Sequence, residues 1–262
     1  MFYHNINPVF LHLGPLEIRY YGLFYALGFL IAYFLIYHLA KKKELGMTRD
    51  DAADLLVYLI IGVVSGARII YVIFYNLPFY LNSPLEILAV WHGGLSFHGG
   101  LFGAVAAAYL FCRKKKLEFY DIADVAVIPV ALALALGRIG NFINAELYGR
   151  ITNVSWCVDY SKSQYLVNPP AGCRHLSQIY ESMKNFSIFA VLWLIKDKKL
   201  PKGFMFWSFV TLYGLLRTIM EFFRQPDEQL GFILNYFTMG QLLSFPMFLI
   251  GLYMLFRLNK NK

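Results

Sequence analysis

Two arginines lie within apolar stretches of this chain, where a charged side chain is costly. Arg138 occurs in the segment GRIGNFINAELYG, and Arg217 occurs in the segment LRTIMEFFRQPD. An ionisable group inside a membrane costs about 2.5–3.5 kcal/mol on insertion scales, so each residue is a functional-site hypothesis. A guanidinium stays charged and binds phosphate oxygens in a bidentate manner. Two such groups suit a phosphate, and the alternative is an internal ion pair that holds helices together.

Polar side chains follow Arg138 at helical spacing. Asn141 and Asn144 come three and six residues later, which predicts that all three share one face of a helix. Gly137 and Gly140 flank the arginine and would let a neighbouring backbone or a ligand come close. This face is therefore a candidate binding surface.

A second set surrounds Arg217. Glu221 and Arg224 follow it by four and seven residues, so we expect these three on one helix face as well. Glu221 can then neutralise one arginine and leave the other free for an anion. Arg68, in the segment SGARIIY, is a further buried cation, and a structural ion pair is its favoured interpretation.

A glycine-rich segment, WHGGLSFHGG at residues 91–100, interrupts the apolar pattern. It predicts a re-entrant turn, or a helix start whose backbone N–H groups, including that of Gly99, face an anion. His98 could act there as a general base, because its reference pKa is about 6.5. A structural histidine is the alternative. A metal site with His92 is disfavoured, since the spacing is not that of a known ligand set.

Three tyrosines open the first apolar run, in YYGLFYALG. Tyr20 and Tyr25 are typical of an aromatic belt at a membrane interface. Tyr21 is the one that we assign to the site.

Composition predicts an integral membrane protein. Of the 262 residues 58% are hydrophobic and only 15% are charged, whereas a soluble domain usually carries about a quarter charged residues. The net charge of +8 does not indicate nucleic-acid binding, because the lysines form short runs at the ends of apolar segments. Such runs orient membrane proteins.

The expected fold is an all-α membrane domain over residues 1–262 with about seven transmembrane helices. The apolar runs are 20–40, 53–75, 93–112, 120–142, 179–195, 203–222 and 239–257. Basic clusters follow every odd-numbered run, which places the N-terminus outside and the C-terminus in the cytoplasm. Matching halves, which are typical of transporters, are not evident.

The longest polar connection, residues 143–178, is predicted to form a small extracytoplasmic head between spans four and five. Cys157 and Cys173 both lie in it, and a disulfide between them is left open. Cys112 is expected to be an apolar filler near the cytoplasmic end of a span. Segment 76–92 is expected to lie along the outer interface.

Several of these stretches resemble the prolipoprotein diacylglyceryl transferase family of bacterial membrane enzymes. The matching stretches cover nearly the whole chain: YYGLFYALGF, ARIIYVIFYN, GGLSFHGG, GRIGNFINAELYGR, RHLSQIYE, RTIMEFFRQPD and MGQLLSFPM. GRIGNFINAE and GGLSFHGG are the most specific. The family commonly has proline after the histidine of the RHLSQIYE stretch. This chain has Leu176 there, which predicts a looser start of the fifth span.

The resemblance implies transfer of the diacylglyceryl group of phosphatidylglycerol to the cysteine thiol of a lipobox, with release of glycerol phosphate. It implies phosphatidylglycerol, a prolipoprotein signal peptide and membrane lipids as partners, with no nucleic acid, metal or organic cofactor. The active site would face the extracytoplasmic half of the bacterial cytoplasmic membrane. By this resemblance the catalytic residues would be Arg138, Arg217 and His98, with Asn141, Glu146 and Tyr21 supporting lipid binding. The spacing and the glycine-rich segment described above add Asn144, Gly99, Glu221 and Arg224 to the lipid-binding set, to which Arg138 also belongs.

Two other classes use some of the same features. A transporter or flippase of an anionic lipid would need the buried arginines but no base and no peptide site. A structural scaffold would leave the clustered arginines unexplained. Whether His98 removes the thiol proton or only shapes the pocket is open, because nearby arginines also lower the pKa of a thiol.

The basic clusters generate a testable topology. Residues 41–50, 113–119, 196–202 and 257–262 should be cytoplasmic. A cysteine introduced at position 162 should react with an impermeant reagent added outside intact cells. One introduced at position 115 should react only after permeabilisation, and the opposite pattern would overturn the orientation.

Overall fold

The computed structural model describes residues 1–226 and 236–260. Asp227 of the RTIMEFFRQPD stretch and residues 261–262 of the last basic cluster lie outside the described residues. Contacts divide the chain into two units, one formed by residues 1–32 with 126–262 and the other by residues 33–125.

Helices account for most of the described chain, and each of the seven predicted apolar runs forms one. The helices are α1 (Tyr20–Lys42), α2 (Arg49–Tyr75), α3 (Leu77–Asn82), α4 (Phe97–Lys115), α5 (Phe119–Ile143), α6 (Ser177–Ile195), α7 (Phe204–Met220) and α8 (Met239–Lys260). Within the described ranges, α1, α2, α5 and α8 are long and apolar enough to cross a membrane, and α7 is a shorter apolar helix. The predicted helices are thus confirmed and their character is consistent with a membrane protein, while seven crossings and their orientation stay predictions.

Close packing of α2 on α4 dominates the unit of residues 33–125. Gly62 and Gly66 of α2 face Gly99 and Gly103 of α4, and a Cβ at any of these positions would collide with the opposite helix. Each helix carries the Gly-x-x-x-Gly spacing that allows two backbones to approach within a membrane. This packing accounts for part of the glycine-rich segment.

Arg68 of α2 organises the chain that precedes α4. Its guanidinium donates to five backbone carbonyl oxygens, those of Glu86, Ile87, Ala89, Gly93 and Gly94. Tyr80 adds a ring face 5.0 Å from the guanidinium carbon. The structural interpretation of Arg68 is therefore supported, although its partners are carbonyl groups and not the expected carboxylate.

In the other unit, the predicted head includes a small three-stranded sheet. Strand β1 (Phe2–Tyr3) runs parallel to β4 (Val158–Asp159), which pairs antiparallel with β5 (Cys173–Arg174). A separate hairpin joins β2 (Val9–Leu13) to β3 (Leu16–Arg19). The all-α prediction missed these strands, because segments of two to five residues carry little periodicity.

A disulfide and a buried histidine fix this sheet. Cys157 and Cys173 form a disulfide across β4 and β5. His4 directly follows β1 and is buried, and its Nε2 is 2.8 Å from the carbonyl oxygen of Phe142 at the end of α5. Burial lowers the pKa of the His4 imidazole, so the neutral ring donates to this carbonyl near pH 7. The N-terminal residues are thus part of the head.

Candidate functional site

The carboxylate of Glu181 is the centre of a buried ionic cluster in the unit that contains α5 to α8. Glu181 is 2% exposed and lies in the first turns of α6. Arg217 of α7 pairs with its Oε1, and Lys184 Nζ is 2.7 Å from its Oε2. Arg138 Nε of α5 is 3.8 Å from the same Oε2. One carboxylate therefore connects three helices.

A second carboxylate, Glu221, extends the cluster. It pairs with Arg217, its Oε1 is 3.4 Å from Arg224 Nη1, and Thr238 Oγ1 donates to its Oε2 at 2.9 Å. Helix α7 ends at Met220, so a turn and not a helix face brings these groups together. The expectation that Glu221 would leave one arginine free was wrong, because it contacts both.

The polar residues after Arg138 form a connected chain. Asn141 shares the last turns of α5 with Arg138, as its spacing predicts, whereas Asn144 lies just beyond the end of α5 at Ile143 and not on the predicted helix face. Arg138 Nη1 donates to Asn141 Oδ1 at 3.4 Å, and Asn141 Nδ2 donates to Glu146 Oε2 at 3.2 Å. Asn144 Nδ2 donates to Glu146 Oε1 at 3.0 Å. The hydrogen-bond partner of Arg138 in this chain is therefore the neutral amide of Asn141, and the Glu181 carboxylate is 3.8 Å away.

Tyr21 lies against α5 close to this chain. Its ring fills the space that a Cβ at Gly140 would occupy, with 2.9 Å between that position and the ring edge. The Tyr21 hydroxyl is 3.0 Å from the hydroxyl of Tyr25. This position is consistent with the assignment of Tyr21 to the site. Tyr25, which the sequence assigns to the aromatic belt, contacts Tyr21 through its hydroxyl.

Arg150, which sequence reasoning did not select, anchors the end of α7. Its Nε donates to the Arg224 carbonyl oxygen at 3.0 Å, and its Nη2 donates to the Glu221 carbonyl oxygen at 3.1 Å. The sequence feature that could have identified Arg150 as a site residue is its position at the end of the GRIGNFINAELYGR stretch. Arg150 thus holds the turn that carries Glu221 and Arg224.

The start of α6 is well held despite Leu176. Ser177 Oγ donates to the Leu147 carbonyl oxygen at 2.9 Å, and Gln178 Nε2 donates to the Glu146 carbonyl oxygen at 2.6 Å. Leu176 itself packs against the head around Val158 and Tyr160. These contacts tie the start of α6 to the head, and the expected loosening stays a prediction.

Positive charge exceeds negative charge in the cluster. Its described members are four cations and two carboxylates: Arg138, Lys184, Arg217, Arg224, Glu181 and Glu221. Counting Glu146, which contacts amides, the cations are still in excess. The arginines thus form internal ion pairs, and their binding of a phosphate stays a prediction.

His98 and Gly99 belong to the other unit, in the first turn of α4. Helix α4 begins after Ser96, whose Oγ accepts from the Gly99 N–H at 3.3 Å. The segment is a helix start, as predicted, preceded by Gly93 and Gly94 with positive φ. Capping and packing against α2 account for Gly99, and its contact with lipid stays a prediction. His98 is half-buried, with its ring against Phe97.

The apolar helices and the ionic cluster between them are those of a helical membrane protein with a polar interior. A sequence model described as prolipoprotein diacylglyceryl transferase matches residues 8–257. The chain therefore belongs to the prolipoprotein diacylglyceryl transferase family.

Named relatives agree over the full length. The chain is 46% identical to the phosphatidylglycerol–prolipoprotein diacylglyceryl transferase of Geobacter sulfurreducens, with 100% of this chain and 99% of the relative covered. It is 42% identical to the enzymes of that name from Legionella pneumophila, covering 96% and 97%, and from Rickettsia rickettsii, covering 99% of each.

Neutralising the central carboxylate should destabilise this unit. In Glu181→Gln the cations around α6 lose their shared partner, which should cost about 3–5 kcal/mol of unfolding free energy. Glu146→Gln is the matched control. Glu146 is exposed and accepts from amides, so that variant should lose less than about 1 kcal/mol. Denaturant unfolding in detergent measures both, and equal stabilities would contradict the central role of Glu181.

Proposed function

We propose that this chain transfers the diacylglyceryl group of phosphatidylglycerol to the lipobox cysteine of bacterial prolipoproteins. The cysteine sulfur forms a thioether bond to the glyceryl carbon. The bond from that carbon to the phosphate oxygen breaks, and glycerol phosphate leaves with the electron pair. Family membership supports the activity, and the excess of cations over carboxylates in the described part of the cluster around Arg138 and Arg217 is the observation that carries the mechanism.

The leaving group explains the need for arginines. Negative charge develops on the phosphate oxygens as the carbon–oxygen bond breaks, and fixed cations in a water-poor site stabilise that charge. Arg138 is the better placed to contact the phosphate directly, because its carboxylate neighbour is 3.8 Å away and its side chain is 16% exposed. Arg217 is held between two carboxylates and contributes mainly a fixed positive field.

The attacking sulfur needs a different kind of help. A thiol with a reference pKa of about 8.5 is mostly protonated at neutral pH, and the thiolate is the nucleophile. We assign removal of this proton to His98. Asn141, Asn144, Glu146, Tyr21, Glu221 and Arg224 are assigned to lipid binding around the arginines, and Gly99 to the segment that carries His98.

The proposed location is the bacterial cytoplasmic membrane, with the reaction on the extracytoplasmic side. The disulfide between Cys157 and Cys173 supports an outside position for residues 143–178, because disulfides persist in oxidising compartments. The proposed partners are phosphatidylglycerol, a prolipoprotein signal peptide with its lipobox cysteine, and the surrounding lipids.

One assay separates this proposal from a flippase and from a scaffold. The purified protein is reconstituted in liposomes with labelled phosphatidylglycerol and a lipobox peptide. A transferase yields lipidated peptide, whereas a flippase moves labelled lipid between leaflets without product and a scaffold does neither. A lipobox peptide with serine in place of cysteine is the control and should remain unmodified.

Removing the Arg138 guanidinium should abolish most activity. We expect Arg138→Ala to lower kcat/KM by about 10²–10³-fold, the usual cost of losing a group that stabilises developing oxyanion charge. Arg138→Lys should recover little, because an ammonium lacks the planar fork. Arg19→Ala, which removes an exposed arginine paired with Glu17, is the control and should leave turnover unchanged. Near-normal turnover of a folded Arg138→Ala variant would reduce Arg138 to an ion-pair role.

The pH–rate profile tests the role of His98. His98→Gln should lower turnover strongly while phosphatidylglycerol binding survives, and the loss should shrink as pH rises. The reason is that solvent ionises the lipobox thiol above its reference pKa of about 8.5 without help from an imidazole.

The control is His92→Gln in the same segment, since His92 is exposed and pairs with Glu86 at 2.8 Å. Its profile should follow that of the wild type. A His98→Gln variant that loses binding and turnover in parallel at every pH would assign His98 to the shape of the segment instead.

A further inference from the structure

Lys184 is a buried cation that the sequence analysis did not select. It lies in α6, two turns from its start, and its side chain is 1% exposed. A buried ammonium loses its hydration, so it requires a partner of opposite charge. The partner found here belongs to the ionic cluster.

The ammonium of Lys184 occupies one oxygen of the Glu181 carboxylate. Nζ donates to Oε2 at 2.7 Å, and Nζ also lies 4.1 Å from the centre of the Tyr213 ring. Arg217 holds the other oxygen, Oε1. Both oxygens of Glu181 are therefore engaged by strong donors.

Arg138 approaches the same Oε2 from α5 but remains at 3.8 Å. This distance is too long for a hydrogen bond, whereas charge-assisted N–H···O bonds measure about 2.7–2.9 Å. The contact that Arg138 does make is to the neutral amide oxygen of Asn141, at 3.4 Å. The guanidinium therefore keeps donors and charge that Glu181 does not satisfy.

We propose that Lys184 is a positioning residue that holds Glu181 Oε2 and thereby leaves the Arg138 guanidinium to the phosphate of phosphatidylglycerol. This inference rests on the proposed function for the identity of the anion. Without the ammonium, Oε2 becomes the strongest acceptor near Arg138. Arg138 then closes the gap to a direct ion pair, and the phosphate must compete with a carboxylate for it.

A purely structural role for Lys184 would have different consequences. If the lysine only joins α6 to α7 through Glu181 and Tyr213, its loss lowers stability and turnover, and removal of Glu181 adds to the damage. If Lys184 is a positioning residue, its loss raises KM for the lipid. This increase disappears when the competing carboxylate of Glu181 is also removed. A double-mutant comparison distinguishes the two.

The experiment measures KM for phosphatidylglycerol and kcat with a lipobox peptide in mixed micelles. Lys184→Met should raise KM by about tenfold, equivalent to about 1.4 kcal/mol of lost lipid binding, and change kcat by much less. Lys184→Met combined with Glu181→Gln removes a cation and an anion together and should return KM to near the wild-type value. Lys196→Met, which alters a lysine paired with Asp197 at the end of the same helix, is the control and should change neither constant.

A second variant and a binding measurement keep the proposal testable if Lys184→Met does not fold or if the protein has no transferase activity. If Lys184→Met does not fold, Lys184→Gln keeps a hydrogen-bond donor without the charge and should still raise KM. Calorimetric binding of short-chain phosphatidylglycerol should rank the variants in the same order. A wild-type protein that binds this lipid but yields no lipidated peptide would refute the proposed transferase and leave the ranking as the test of Lys184. An unchanged KM in Lys184→Met, or a double variant as impaired as the single one, would overturn the positioning role.

Discussion

A buried carboxylate must be neutralised where it lies, and that requirement on Glu181 organises the unit around it. Its two oxygens contact cations from α5, α6 and α7, and Arg217 continues the connection to Glu221. Thr238 then links Glu221 to the residues that begin α8. In a low-dielectric interior these contacts are strong and geometrically demanding, so Glu181 ties α5, α6 and α7 together and Glu221 extends the connection to α8.

The same requirement leaves the cluster electrically incomplete. Among the described residues the cluster has four cations and two carboxylates, and Arg138 keeps a loose contact while Arg217 is held on both sides. A phosphate diester can act as the missing counter-ion of such a cluster. Binding and neutralisation would then be a single event, and neutral lipids would gain no comparable stabilisation.

The sequence predicts the helices of this structure better than it predicts where they end and which side chains meet in the cluster. Apolar run length predicted the helices, because any membrane helix must satisfy its backbone internally. Spacing grouped Arg138 with Asn141 on α5 correctly, but it failed for Asn144, which follows the end of α5 at Ile143. It failed for Glu221 and Arg224, since α7 ends at Met220 and periodicity does not report where a helix stops. The contacts that define the cluster are also long-range, and no local pattern carries them. Lys184 lies in the polar-looking stretch ESMKN, and Arg150 follows a loop.

The disulfide in the head also affects which thiols the protein exposes. The chain has three cysteines; Cys157 and Cys173 are oxidised to each other, and Cys112 is buried within α4. A transferase that alkylates thiolates with its own lipid substrate is exposed to self-modification at any accessible cysteine. Here every sulfur is either bonded or enclosed, so the acceptor thiol has to arrive with the second substrate. On this account the disulfide prevents the enzyme from lipidating Cys157 or Cys173.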